Sequence, residues 1–71
     1  MNLAHRIVID PKICMGKPCI KGRRLTVDFI LELLVAGWKY EEIQKEYEID
    51  YEDILAVLNY AKNILKEQKI Y

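Results

Sequence analysis

Four cations crowd the stretch from Gly16 to Val27, which reads GKPCIKGRRLTV: Lys17, Lys21, Arg23 and Arg24. Two glycines and a proline break this stretch into short β-prone runs, and an amphipathic helix pattern follows at once. Guanidinium forks and ammonium groups on a glycine-punctuated arm suit recognition of carboxylates or phosphates, the arginines bidentately. The remaining reactive side chains are sparse. Cys14 and Cys19 form a pair, and His5 is the one histidine. A structural zinc site needs four ligands, usually as two close pairs, so one pair and a distant His argue against a metal. Neither cysteine has a sequence-local base to activate it. The GKPCIKG stretch lacks the spacing and the Lys-Ser/Thr ending of a phosphate loop. The carboxylates fall mostly on faces that the helical patterns turn outward. The expectation is a binding protein without catalysis, metal or cofactor.

The elements that must position this arm belong to one small domain spanning residues 1–71, with a basic β arm at 1–26 and a helical unit at 27–71. Seventy-one residues lie near the lower end of what folds alone, where only about 60% of the unfolded surface is buried. Yet 52% of the residues are apolar, against a usual ~45–50% counted with glycine. That composition predicts an ordered chain with more apolar surface than one small core absorbs.

The net charge is zero, but it is polarised. Residues 1–27 hold six Lys/Arg and one acid, a net of +5, and residues 28–71 hold five Lys and ten acids, a net of −5. A basic face and an acidic face follow, which bear on partner choice. The alternative is that the two halves attract each other within the fold or across a dimer. No apolar, cleavable signal precedes residue 7, and no run approaches membrane-spanning length. The expected location is the cytoplasm, with both thiols reduced; a disulfide would need an oxidising compartment.

Residues 1–6 read as a mobile end. Ile7-Val8-Ile9 is a short β-branched run stopped by Asp10-Pro11. Cys19-Ile20 and Arg24-Leu25-Thr26 flank Lys21-Gly22, where Gly22 suits the positive φ of a turn's third position. Pro18 confines any strand there to an edge or to its own start. Residues 7–26 therefore predict two or three very short strands, in need of helices or a second chain beside them.

The first helix begins with Thr26 as N-cap and Asp28 in its first turn. Val27, Ile30, Leu31, Leu34 and Val35 follow the spacing of a buried stripe, and Gly37 closes the helix in the left-handed region. The second helix covers about Tyr40–Tyr47, with Tyr40, Ile43 and Tyr47 on one face. Its start is poorly capped, since Lys39 offers no side-chain acceptor. Trp38 reads either as a plug at a helix corner or as a stacking platform.

The third helix begins after Asp50, whose carboxylate can cap, with Asp53 three residues on, and runs to about Lys66. It carries two apolar strips: Ile54, Leu58, Ala61 and Leu65, and beside them Val57, Tyr60 and Ile64. This width exceeds the usual surface stripe. Either the helix is central in the core, or Val57, Tyr60 and Ile64 meet another protein chain. The fold expected is mainly α with a small N-terminal β region: short strands ahead of a three-helix helix-turn-helix unit. Direct base readout is disfavoured, because Asp50, Glu52 and Asp53 crowd the start of the would-be recognition helix. If nucleic acid binds, Lys17–Arg24 is the better candidate, through phosphates.

The pattern Ile9-Asp10-Pro11, Ile13-Cys14-x-Gly16-Lys17-Pro18, Ile20-Lys21-Gly22-x-Arg24-Leu25-x-Val27 closely resembles the prokaryotic domain-of-unknown-function 433 family. The likeness continues through Ile30-Leu31, Leu34, Gly37, Glu41-Glu42-Ile43, Tyr47 and Glu52-Asp53-Ile54 to Ala61. It implies a homeodomain-like helical domain behind a short β region, and an antitoxin role in a type II toxin–antitoxin pair. The companion it implies is a small PIN-like nuclease toxin, inhibited by protein–protein contact. A homodimer and autoregulatory binding to promoter DNA are also implied, making a dimeric repressor the alternative function. Three positions depart from the family pattern. Arg23 stands where Thr commonly precedes the arginine, Lys39 where Ser or Thr is usual, and Glu48 where proline is frequent.

Overall fold

The computed structural model describes residues 3–67. A 3-10 turn at Leu3–Arg6 leads into strand β1 (Ile7–Val8), a turn at Cys14–Gly16 and strand β2 (Cys19–Ile20). Helices α1 (Val27–Val35), α2 (Tyr40–Tyr47) and α3 (Tyr51–Glu67) follow. The architecture is mainly helical, with a two-stranded sheet ahead of three helices, as the patterning predicts.

The strands are antiparallel, with Ile7 opposite Ile20 and Val8 opposite Cys19. Only one bridge, Cys19 to Thr26, represents the third segment. Asp10 starts the intervening loop by both of its acceptors. Its carbonyl accepts the Ile13 N–H at 2.9 Å, and its carboxylate accepts the Lys12 N–H at 2.9 Å. After β2 the Arg23 N–H donates to the Ile20 carbonyl at 3.1 Å, and Gly22, third in that turn, has φ +82°. This is the type II geometry that asks for glycine there. The chain then pairs back, with Ile20 N–H to Leu25 O at 2.8 Å and Val27 N–H to Pro18 O at 3.0 Å.

Residues 3–6 are not the mobile end the sequence suggests. They form a turn packed against α3, and the Arg6 carbonyl accepts the Lys21 N–H at 2.8 Å. The division at residue 26 is likewise one of charge rather than packing, because Ile20 of β2 sits inside the same core as the helices.

Thr26 caps α1, its hydroxyl accepting the Phe29 N–H at 3.0 Å. At the other end Trp38 N–H reaches Leu33 O at 3.0 Å and Gly37 N–H reaches Leu34 O at 3.1 Å. With Gly37 at φ +96°, these two bonds make a Schellman closure. The predicted stripe is right for Val27 and Ile30, which are buried, and for Leu31 and Leu34, which pack against the core, but wrong for Val35, which is 89% exposed. At ~100° per residue Val35 lies roughly 110° around the helix from the midpoint of Val27 and Ile30, outside the covered face. Leu33, outside the predicted stripe, leans on the core instead.

Helix α2 has the predicted span. Lys39 supplies no acceptor, yet the start is not bare: the Glu42 carboxylate reaches back to the Lys39 N–H at 2.8 Å. That is the reciprocal half of a capping box. The helix ends on Glu48 at φ 53°. Proline, fixed near φ −65°, does not fit that conformation, so this α2–α3 turn is built differently from a proline-containing one. Trp38 packs against the core at the α1–α2 corner, 6.1 Å from the Tyr47 ring, which in turn meets Phe29 edge-on at 5.3 Å.

The core is Ile20, Val27, Ile30, Ile43, Ile49, Ile54 and Val57. Helix α3 is central only over its first half. Asp53, Ile54, Ala56 and Val57 are buried, whereas every residue from Lys62 to Glu67 is exposed. Val57 has no exposed surface, which corrects its assignment to a partner-facing strip. It belongs to the core cluster, and only Tyr60 and Ile64 of that strip reach the surface.

Candidate binding arm

The backbone of the arm is held in conformations that ordinary residues avoid. Cys14, Met15 and Gly16 take φ 50°, 57° and 82° in succession, a left-handed turn. It is closed by Gly16 N–H to Ile13 O and Lys17 N–H to Cys14 O, both 3.0 Å. Arg24 also sits at φ 54°. Each non-glycine residue in this region costs about 1–2 kcal/mol, so the surrounding hydrogen bonds and the buried Cys19-Ile20 pair must hold it there. No glycine signals Cys14, Met15 or Arg24 as left-handed, which is why the sequence shows the cations but not their setting.

Lys17, Lys21, Arg23 and Arg24 are all exposed. Among the described residues none of the four makes an ion pair. Arg6, the first of the six N-terminal cations, behaves differently. Its Nη1 lies 3.0 Å from Asp53 Oδ1 and 3.6 Å from Asp50 Oδ2. The hydrogen bond to Asp53 raises the Arg6 pKa above its ordinary value, opposed by desolvation and helped by Asp53, Glu52 and Asp50. Attraction between the oppositely charged halves is thus met within the fold at Arg6, while the arm's charge is left facing solvent.

Asp53 is the residue the sequence misplaces most. Instead of adding to an acidic helix start, it is 8% exposed and satisfied on both oxygens, Oδ1 by Arg6 and Oδ2 by the Asp50 N–H at 3.0 Å. The cap therefore runs from Asp53 back to Asp50. The Asp50-x-x-Asp53 spacing carries that signal; the pairing with Arg6, 47 residues away, has none. Asp53→Ala strips the Asp50 N–H of its acceptor and Arg6 of its hydrogen-bonded partner, leaving it only the 3.6 Å pair with Asp50. It is expected to cost about 1–3 kcal/mol in urea denaturation, the penalty of leaving such a donor unsatisfied.

Behind the arm, Pro18, Val27, Leu31, Tyr60, Ala61 and Ile64 line an apolar groove of about 390 Å³. Tyr60 also borders a smaller one of about 200 Å³ against Ala4, Ile7, Ile9 and Ala56. The structure thus brings Tyr60 and Ile64 to the groove and withdraws Val57 from it. Among the described residues there is no group of three or more His, Cys, Asp or Glu placed to hold a metal. No helix among them is long and apolar enough to cross a membrane.

A small helical domain presenting a strained basic hairpin is the class these features define. The chain belongs to the family described as "Protein of unknown function (DUF433)", whose profile matches residues 7–61. No curated protein and no solved structure matches it.

Proposed function

We propose that the chain is a cytoplasmic antitoxin that inhibits a PIN-like nuclease by protein–protein contact and performs no catalysis of its own. The observation that carries this reading is the set of four exposed cations, without ion-pair partners among the described residues, on a tightly hydrogen-bonded arm. Such an arm matches an acidic, metal-binding cleft. Arg24, assisted by Arg23, pairs with carboxylates there, the guanidinium fork taking two oxygens at once. Lys17 and Lys21 add attraction that speeds encounter. Occupying the cleft displaces metal or blocks RNA. The groove bordered by Tyr60 and Ile64 supplies apolar area for that complex or for a homodimer.

The test is inhibition of RNA cleavage by such a nuclease. The chain is expected to abolish cleavage at stoichiometric amounts, and Arg24→Ala to weaken inhibition. Unchanged inhibition removes Arg24 from the interface.

A dimeric repressor binding promoter DNA is the second reading, and the burial of Asp53 favours it. Of the three carboxylates at the start of α3, one is withdrawn and paired with Arg6, which lessens repulsion of phosphates. Four phosphate contacts by the arm predict a log–log salt dependence with slope of about −3 to −4 per protomer. A salt-insensitive or absent shift of promoter DNA excludes this reading.

A further inference from the structure

The closing turns of α3 are the part of the fold that the core does not explain. Every residue from Lys62 to Glu67 is exposed, and Ile64 and Leu65 leave 38% and 57% of their surface open. Helices in proteins draw most of their stability from packing of an apolar face, and here that face lacks a cover among the described residues. Its side chains are not scattered singly. Tyr60, Ala61, Ile64 and Leu65 share one side of the helix by their i, i+1, i+4, i+5 spacing. That side is one wall of the apolar groove of about 390 Å³, and Val27 and Leu31 of α1 belong to the other.

Charge marks the two walls differently. Asp28 is the one charged residue among the described residues that line the groove, and Glu32 follows it a turn along α1, both exposed. Beside Leu65 on α3 stand Lys62 and Lys66, also a turn apart and exposed. Among the described residues none of these four charges makes an ion pair. The chain thus carries both an acid-rimmed apolar groove and a lysine-flanked apolar ridge. A two-fold interface requires this kind of self-complementary surface.

We propose that the occupant of this groove is a second copy of the chain, seated by the closing turns of its α3. About a two-fold axis, each copy lays Ile64 and Leu65 into the groove of the other. Ala61, with its single methyl, lets the second helix approach closely, since interaxial distance follows the size of the side chains at the contact. Lys62 and Lys66 of one protomer meet the partner's Asp28 and the partner's Glu32 at the rim, where charges set register and orientation more than affinity. The ridge from Tyr60 to Glu67 is about 12 Å long at 1.5 Å per residue. It gives an interface at the small end of stable contacts, about 600 Å² per partner, so the dimer forms in the micromolar range. Lys17, Lys21, Arg23 and Arg24 do not line the groove. Dimerisation therefore leaves both basic arms open and makes the assembly bivalent. The inference goes beyond the antitoxin reading and does not depend on it.

The test is sedimentation equilibrium of the full chain alone, from micromolar to millimolar concentration. The mass is expected to rise from 8.4 kDa toward twice that value and stop there. Leu65→Glu sets a carboxylate into the acid-rimmed groove and is expected to weaken association at least about tenfold. Circular dichroism of the monomer should be unchanged, because Leu65 is exposed. Two charge variants add a test that a merely structural role does not pass. Lys62→Glu with Lys66→Glu, and separately Asp28→Lys with Glu32→Lys, should each weaken self-association, and the two should associate more tightly when mixed than either does alone. A chain monomeric throughout, a mass that grows past the dimer, a dimer unaffected by Leu65→Glu, or no recovery on mixing each overturn the proposal. Should a charge variant fail to fold, amide hydrogen exchange of the unaltered chain decides in its place. Protection over residues 61–67 is expected to rise with concentration, and unchanged protection there overturns the assignment.

Discussion

Ile54→Ala is expected to lower the unfolding free energy by about 2–5 kcal/mol, read as a drop in the urea midpoint at unchanged m-value. Ile54 has no exposed surface and belongs to the single core cluster that β2 and all three helices share. Removing its outer carbons leaves a void that neighbours on every side are already committed to lining. A domain of this length has a total stability of only about 4–11 kcal/mol at the usual 0.05–0.15 kcal/mol per residue. The substitution therefore consumes a large share of it, and partial unfolding at ambient temperature is the expected result. Ile54→Val, at about 0.5–1.5 kcal/mol, keeps the measurement within range. The control is Val35→Ala. Its side chain is 89% exposed, so the change should stay within about 0.5 kcal/mol. Equal losses at the two positions would mean that the core lies elsewhere.

That contrast marks what the sequence makes legible. The start and end of α1 are written in local chemistry: a threonine whose hydroxyl caps, and a glycine that alone tolerates the closing φ. The extent of α2 and the turn at Gly22 are legible for the same reason. Depth is not local. Helix α3 shows two apolar strips of similar quality along its whole length, yet the core covers only its first half. Val57 is therefore buried while Ile64 and Leu65 emerge. Nothing in the pattern says where α1 and the strands stop covering it. The pairing of Arg6 with Asp53 is equally invisible, because it joins a segment that reads as a tail to a helix start that reads as a solvated acidic face. The candidate site divides along the same line. Its cations are obvious from composition. The left-handed backbone beneath Arg24 depends on hydrogen bonds between segments and leaves no residue-type signature.

Arg24→Gly is expected to move affinity and stability in opposite directions. Glycine adopts φ 54° without the steric cost that arginine bears, a relief of about 1–2 kcal/mol. Greater freedom of glycine in the unfolded chain offsets about 0.5–1 kcal/mol of that gain. The folded state should be unchanged or more stable by up to about 1.5 kcal/mol. Binding should suffer. An arginine that pairs bidentately in a desolvated interface is worth about 2–5 kcal/mol when removed, or a loss in affinity of at least about thirtyfold. Arg24 is held in a costly conformation at a solvent-exposed position, without an ion-pair partner among the described residues. Under the proposed reading it is the arginine's binding role that retains it there. Arg24→Ala removes the same cation but not the strain, so it should lose affinity equally while gaining no stability. The two variants measured together, by nuclease inhibition and by urea denaturation, separate charge from backbone. Equal affinity in both, below that of the unaltered chain, assigns the loss to the guanidinium. A stable Arg24→Gly variant with full inhibition would place the interface away from this residue and leave its left-handed conformation a product of the hairpin alone.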